Sequence, residues 1–123
     1  MKFDDMVVTE VTSIYDGDTF RANIKDYPAI VGHRISIRVR GIDAPEIKGK
    51  CELEKLLARK AKQQTVFMLR GAKKIELKNI SRGKYFRLIA DVYVDDVLLS
   101  EILISSKLAV PYDGRTKTKD WCK

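Results

Sequence analysis

The sequence predicts a mainly β domain with helices (α+β): a small five-stranded barrel carrying two helices. Three observations point there. Five segments alternate or are rich in β-branched residues, as half-buried strands are. The apolar period switches once to a long helical one, between Leu53 and Leu69. The chain of 123 residues, 45% hydrophobic and 33% charged, is long enough to bury about two-thirds of its surface in one core. It is read as a single domain over 1–123, with a core over about 6–112 and a basic tail over 113–123.

The β-branched run over residues 6–15 reads as the first strand. Asp16-Gly17-Asp18 breaks it as a turn, and Thr19–Ile24 returns as the second. In Arg34–Ile42, Ile35, Ile37 and Val39 face one way and Ser36, Arg38 and Arg40 the other. Pro45 forces Ala44 into an extended conformation and ends that pairing. Leu53, Leu56, Leu57, Ala61 and Met68 fall on one helical stripe, with Gly71 as its stop. Lys74–Ile80 alternates again, with Ile75, Leu77 and Asn79 on one face. Tyr85–Val94 is the fifth strand, Asp95-Asp96 a turn, and Leu98–Leu108 a second helix. The tail from Pro111 is expected to loop over the surface, with Trp121 capping the core. Strand–strand–strand–helix–strand–strand order matches the five-stranded barrel of the OB type.

Charge narrows the partners. Residues 1–32 hold 3 basic and 6 acidic side chains, and residues 33–123 hold 21 basic and 11 acidic, giving −3 and +10 of the net +7. Such a surplus favours polyanions. A zinc site is excluded by one His, His33, and two distant cysteines, Cys51 and Cys122. The cysteines are compatible with a disulfide in an oxidising compartment and equally with free thiols. No apolar run reaches the 18 or so residues of a membrane span, and the first five residues lack the layout of a signal peptide.

One constellation carries chemistry: Asp16-Gly17-Asp18-Thr19, Arg38, Asp43-Ala44-Pro45-Glu46 and Arg87. Carboxylates and a carbonyl at strand ends are hard oxygen ligands for Ca²⁺ or Mg²⁺. A third carboxylate can activate or orient water. Two guanidiniums can grip phosphoryl oxygens and stabilise the charge that builds in the transition state. Taken singly, each is an ordinary turn, loop exit or solvated strand face. Together they read as metal-assisted phosphodiester hydrolysis.

Tyr15-Asp16-Gly17-Asp18-Thr19, the run from Ile37 to Glu46 (IRVRGIDAPE) and the run from Lys84 to Ala90 (KYFRLIA) resemble, in order and spacing, the three signature segments of the staphylococcal nuclease (thermonuclease) family. The resemblance extends from about Val7 to Tyr112. It implies an SNase-like OB-fold endonuclease that uses Ca²⁺ to hydrolyse DNA and RNA. Asp18 and Asp43 would be the metal carboxylates, and Ala44 would add its backbone carbonyl. Glu46 would be the general base or water-ordering group, and Arg38 and Arg87 the phosphate clamp. Lys84 and Tyr85 would hold the neighbouring phosphate, and Tyr112 would stack on a base. Single-stranded or frayed DNA or RNA is the expected partner, with no membrane and no obligate protein partner, and the chain is expected to act as a monomer. Export to periplasm or medium with a presequence removed is the expected location, the cytoplasm the alternative.

Two departures from the family pattern bear on function. Phe86 stands where the family has Gly, and a side chain there could re-aim Arg87. The loop Ile47–Glu52 is short and keeps only Lys48 and Lys50. A non-catalytic SNase-like nucleic-acid-binding module is therefore the rival reading; the three retained acids oppose it.

Overall fold

The computed structural model describes residues 4–26, 34–83, 87–115 and 117–123. His33, expected at a strand edge, Lys84, Tyr85 and Phe86 lie outside them. β1 (Met6–Asp16) turns back into β2 (Thr19–Ile24), followed by β3 (Ile35–Val39), β4 (Ile42–Asp43), α1 (Glu52–Arg70), β5 (Ile75–Arg82), β6 (Leu88–Val94), β7 (Val97–Leu98), α2 (Leu99–Ser105) and β8 (Val110–Pro111). The antiparallel order β3-β2-β1-β5-β6 is closed by a parallel pairing of β3 with β6. The result is the five-stranded barrel with two helices that the sequence predicts. Phe20, Ile37, Val39, Leu77, Ala90 and Val92 fill its interior, each 1% exposed or less. Leu99 and Leu103 of α2 join the same core.

Four expectations need correction. The alternation over Arg34–Ile42 is not one strand: Gly41, at φ +84°, takes a left-handed conformation open to glycine. It separates β3 from β4, which pairs with β8. In β5, Asn79 does not share the face of Ile75 and Leu77. The β5–β6 register shifts between Lys78 and Ser81 and Asn79 has φ +52°. This bulge inverts the alternation, so Ile80 is buried and Asn79 exposed.

The buried stripe of α1 is Glu54, Ala58, Ala61, Thr65 and Leu69, whereas Leu53 and Leu56 are each 43% exposed. The helix turns its small residues to the barrel because the β1–β2 turn packs against it. A Cβ on Gly17 would meet the Cβ of Ala61 at 2.9 Å. The second helix is shorter than Leu98–Leu108. Lys107 adopts φ +62° and Leu108 N–H bonds the Leu103 carbonyl, a Schellman termination.

The described residues of the tail between Asp113 and Asp120 run exposed over the surface, as expected, but its end is fastened. Trp121 is buried, as expected, and Cys122 is disulfide-bonded to Cys51 at the N-cap of α1.

Candidate active site

The turn joining β1 and β2 is fixed from three sides. Thr65, fully buried on α1, donates its hydroxyl to the Gly17 carbonyl at 2.8 Å. Asp18 N–H donates to Asp16 Oδ1 at 3.2 Å. Val39 N–H donates to the Asp18 carbonyl at 2.8 Å, which locks the turn to the end of β3. Asp18 is thus buried with its carboxylate held: Thr19 Oγ1 donates to Oδ1 at 3.0 Å and Ala44 N–H to Oδ2 at 3.1 Å. Register places Thr19 opposite Arg38. Arg38 Nη1 ion-pairs with Asp18 Oδ2 at 3.0 Å, and its Nη2 donates to the Ile42 carbonyl at 3.1 Å.

The carboxylates Asp16 and Asp18 respond differently to the same burial. Desolvation, with Asp18 beside it, pushes Asp16 up to about 7. Burial would also raise Asp18, but Arg38 together with hydrogen bonds from Asp16 and Ala44 holds it below the usual range. Asp18 is therefore held ionised, while Asp16 keeps its proton into the neutral range.

Asp43 is buried on β4, opposite Val110. Glu46 is exposed on the following loop, and that loop is shaped by Glu54. Its carboxylate accepts from Lys50 N–H at 3.0 Å and from Glu46 N–H at 3.3 Å. Lys117, from the disulfide-fastened tail, places its ammonium 3.3 Å from Asp43 Oδ1 and 3.2 Å from Glu46 Oε1. Desolvation opposes its charge, yet the bond to Glu46 and the field of Asp43 keep its pKa raised.

Asp16, Asp18, Arg38, Glu46, Arg87 and Tyr112 line one cavity of about 340 Å³ together with Lys117. Asp43 is joined to this group through Lys117. Arg38 lies over the Tyr112 ring at 5.8 Å and Lys117 at 6.0 Å. Of the expected residues, Asp18, Arg38, Glu46, Arg87 and Tyr112 share this cavity, whereas Asp43 and Ala44 line a neighbouring one that has Glu46 and Lys117 in common with it. Arg40 does not join them; its guanidinium bonds the Asn79 carbonyl at 2.8 Å and Ser81 Oγ at 2.6 Å and ties β3 to β5.

The family model described as staphylococcal nuclease homologue matches residues 36–121. The chain belongs to the staphylococcal nuclease family. No curated protein matches it. The family match begins at Ser36, after the Asp16–Thr19 turn, but the bonds of Asp18 to Val39 and Ala44 fasten that turn into the matched region.

Sequence reasoning missed three residues of this nuclease-family site. Thr65 reads as polar noise within a helix, Glu54 as a first-turn acid, and Lys117 as one tail lysine among several. One signal was available: Thr65 and Glu54 share the true buried stripe with Ala58 and Ala61, a spacing of four or three residues.

The donor chemistry suits a hard divalent cation. Asp18 and Asp43 are buried oxygen donors, and the Lys117 ammonium already stands as a cation against Asp43 and Glu46. Among the described residues no group of three His, Cys, Asp or Glu stands together as a metal cluster.

Proposed function

We propose that the protein is a Ca²⁺-dependent nuclease of low sequence specificity, hydrolysing phosphodiester bonds of single-stranded or frayed DNA and RNA. The observation that supports it most is the convergence of Asp18, Arg38, Glu46 and Arg87 on one cavity, with Asp43 linked through Lys117. Asp18, Asp43 and the Ala44 carbonyl would hold Ca²⁺, which supplies Lewis-acid polarisation of the phosphoryl oxygen.

This chain's own residues do the rest. Glu46, exposed and 3.2 Å from the Lys117 ammonium, accepts a proton from the attacking water or orders it. Arg38 keeps one edge on Asp18 and the Ile42 carbonyl and offers its other N–H groups to phosphoryl oxygens. Arg87 approaches the same space from the start of β6. Together they stabilise charge as the phosphorus becomes five-coordinate. Tyr112, stiffened by Arg38, offers an aromatic face that only an unpaired base can reach. Lys84 and Tyr85 are assigned to the adjacent phosphate by the family resemblance alone.

The Cys51–Cys122 bridge supports an oxidising location and hence export. Among the described residues no helix is long and apolar enough to cross a membrane.

The test is incubation of plasmid and single-stranded DNA and RNA with Ca²⁺ and then with chelator. Cleavage abolished by chelation is expected. Glu46→Gln should lose about 10²- to 10⁴-fold in turnover with its circular dichroism unchanged. Full activity of Glu46→Gln removes the mechanism, and a salt-dependent gel shift without cleavage selects the binding-module reading.

A further inference from the structure

A second cavity, of about 400 Å³, adjoins the catalytic one and shares Tyr15, Thr19 and Arg87 with it. Its other polar walls are Ser13, Arg21 and Ser36, and no acid lines it among the described residues. That contrasts with the neighbouring cavity, which holds Asp16, Asp18 and Glu46.

Strand register orders these groups in two rungs across the barrel face. In one, Ser13 pairs with Arg21 and Arg21 with Ser36; in the other, Asp16 pairs with Thr19 and Thr19 with Arg38. Arg21 thus stands on β2 at the centre of one rung and Arg38 on β3 at the end of the other. Rungs two residues apart along a strand are separated by roughly 6.7 Å, a step of the order of that between consecutive phosphates of an extended single strand. Arg21 donates to the Arg34 carbonyl at 3.3 Å, which steadies the guanidinium without neutralising it.

Tyr15 sits where the β1–β2 register shifts between Ile14 and Asp16. The bulge leaves it 51% exposed at the boundary of the two cavities. An exposed ring without a core role, flanked by hydroxyls and guanidiniums, has the composition of a stacking platform beside a backbone track.

We infer that this groove is a second nucleotide subsite, where Tyr15 stacks on the base and Arg21 holds, in a single strand, the phosphate on the other side of the scissile one from that assigned to Lys84 and Tyr85. The inference rests on the nuclease reading and adds a chain-length requirement to it: substrates must reach past the catalytic cavity.

The experiment measures binding of oligothymidylates of increasing length to the full-length Glu46→Gln chain, alone and combined with Tyr15→Ala or Arg21→Ala, over a salt series. Tyr15→Ala should weaken binding of the longer oligomers by about 5- to 150-fold, the range for losing one base stack, while leaving the dinucleotide unaffected. Arg21→Ala should lower the slope of log K against log salt by about 0.7, one single-strand phosphate contact, and Arg21→Lys should restore the slope. Equal affinities and slopes for all variants with the long oligomers overturn the subsite, as does a penalty of the same size on the dinucleotide. Failure of the nuclease reading looks different: the chain with Glu46 intact would not cleave, whatever the oligomers do.

Discussion

Reduction of the Cys51–Cys122 bridge, or Cys122→Ser, tests how the tail is held. The two cysteines are 71 residues apart. Chain-entropy arithmetic for a loop of that length gives about 4 kcal/mol of stabilisation, acting mainly by restricting the unfolded chain. For a domain of this size that corresponds to roughly 15 °C in melting temperature. The barrel itself should survive, because its core cluster contains no residue beyond Ala109. Thermal and urea melts of oxidised and reduced protein, followed by far-ultraviolet circular dichroism, are the assay. A single cooperative transition is expected in both forms, with a steeper urea dependence after reduction because the opened chain exposes more surface. A shift below about 3 °C would refute the reasoning, since the loop would then not be what limits the unfolded ensemble. Loss of the transition altogether would refute it the other way, by making the tail part of the core.

Three further outcomes are expected. Lys117→Met removes an ammonium that competes for Asp43 and Glu46; at about 1 kcal/mol for each part-exposed contact, Ca²⁺ affinity measured by calorimetry should tighten by about 5- to 30-fold, and unchanged affinity would contradict the competition. Asp16, raised to about 7 from 3.8, takes its proton more readily folded than unfolded, so its contribution to stability falls as pH rises from about 4 to about 7 and stays lost above. Asp16→Asn should therefore stabilise the metal-free protein at pH 8 by up to about 4 kcal/mol and little near pH 4, which chemical denaturation at the two pH values checks. Thr65→Val leaves the buried Gly17 carbonyl without its 2.8 Å donor and should cost about 1–3 kcal/mol while slowing catalysis through the Asp16–Thr19 turn; an unaltered melt would show that the turn needs no support from α1.

Where side-chain period and chain direction agree, the sequence is readable. β2 and β6 alternate cleanly, β3 closes the barrel against β6 at Ile37 and Leu88, and the Asp-Gly-Asp turn announces its own bend. Legibility ends where tertiary packing overrides pattern. Leu53 and Leu56 look like core yet face outward, because the turn at Gly17 leaves room only for Ala58, Ala61 and Thr65. Asn79 follows its alternation correctly until a bulge, invisible in composition, displaces it. The acids and arginines that line the cavity stand in the segments that resemble the family's signatures, which is why the sequence picks them out. Lys117 could not, because its position depends on a covalent link 71 residues long and on β8 pairing with β4.

The parallel contact between β3 and β6 has a consequence for how such a site can vary. Ile37 pairs with Leu88, so Arg38 and Arg87 are next to residues on directly adjacent strands although 48 positions of chain intervene. Helix, loops and bulges in that interval can grow, shrink or be exchanged while the spacing of the two guanidiniums is preserved by a few ladder hydrogen bonds. The separation of Arg38 and Arg87 is thus set by sheet pairing and not by the length of chain between them.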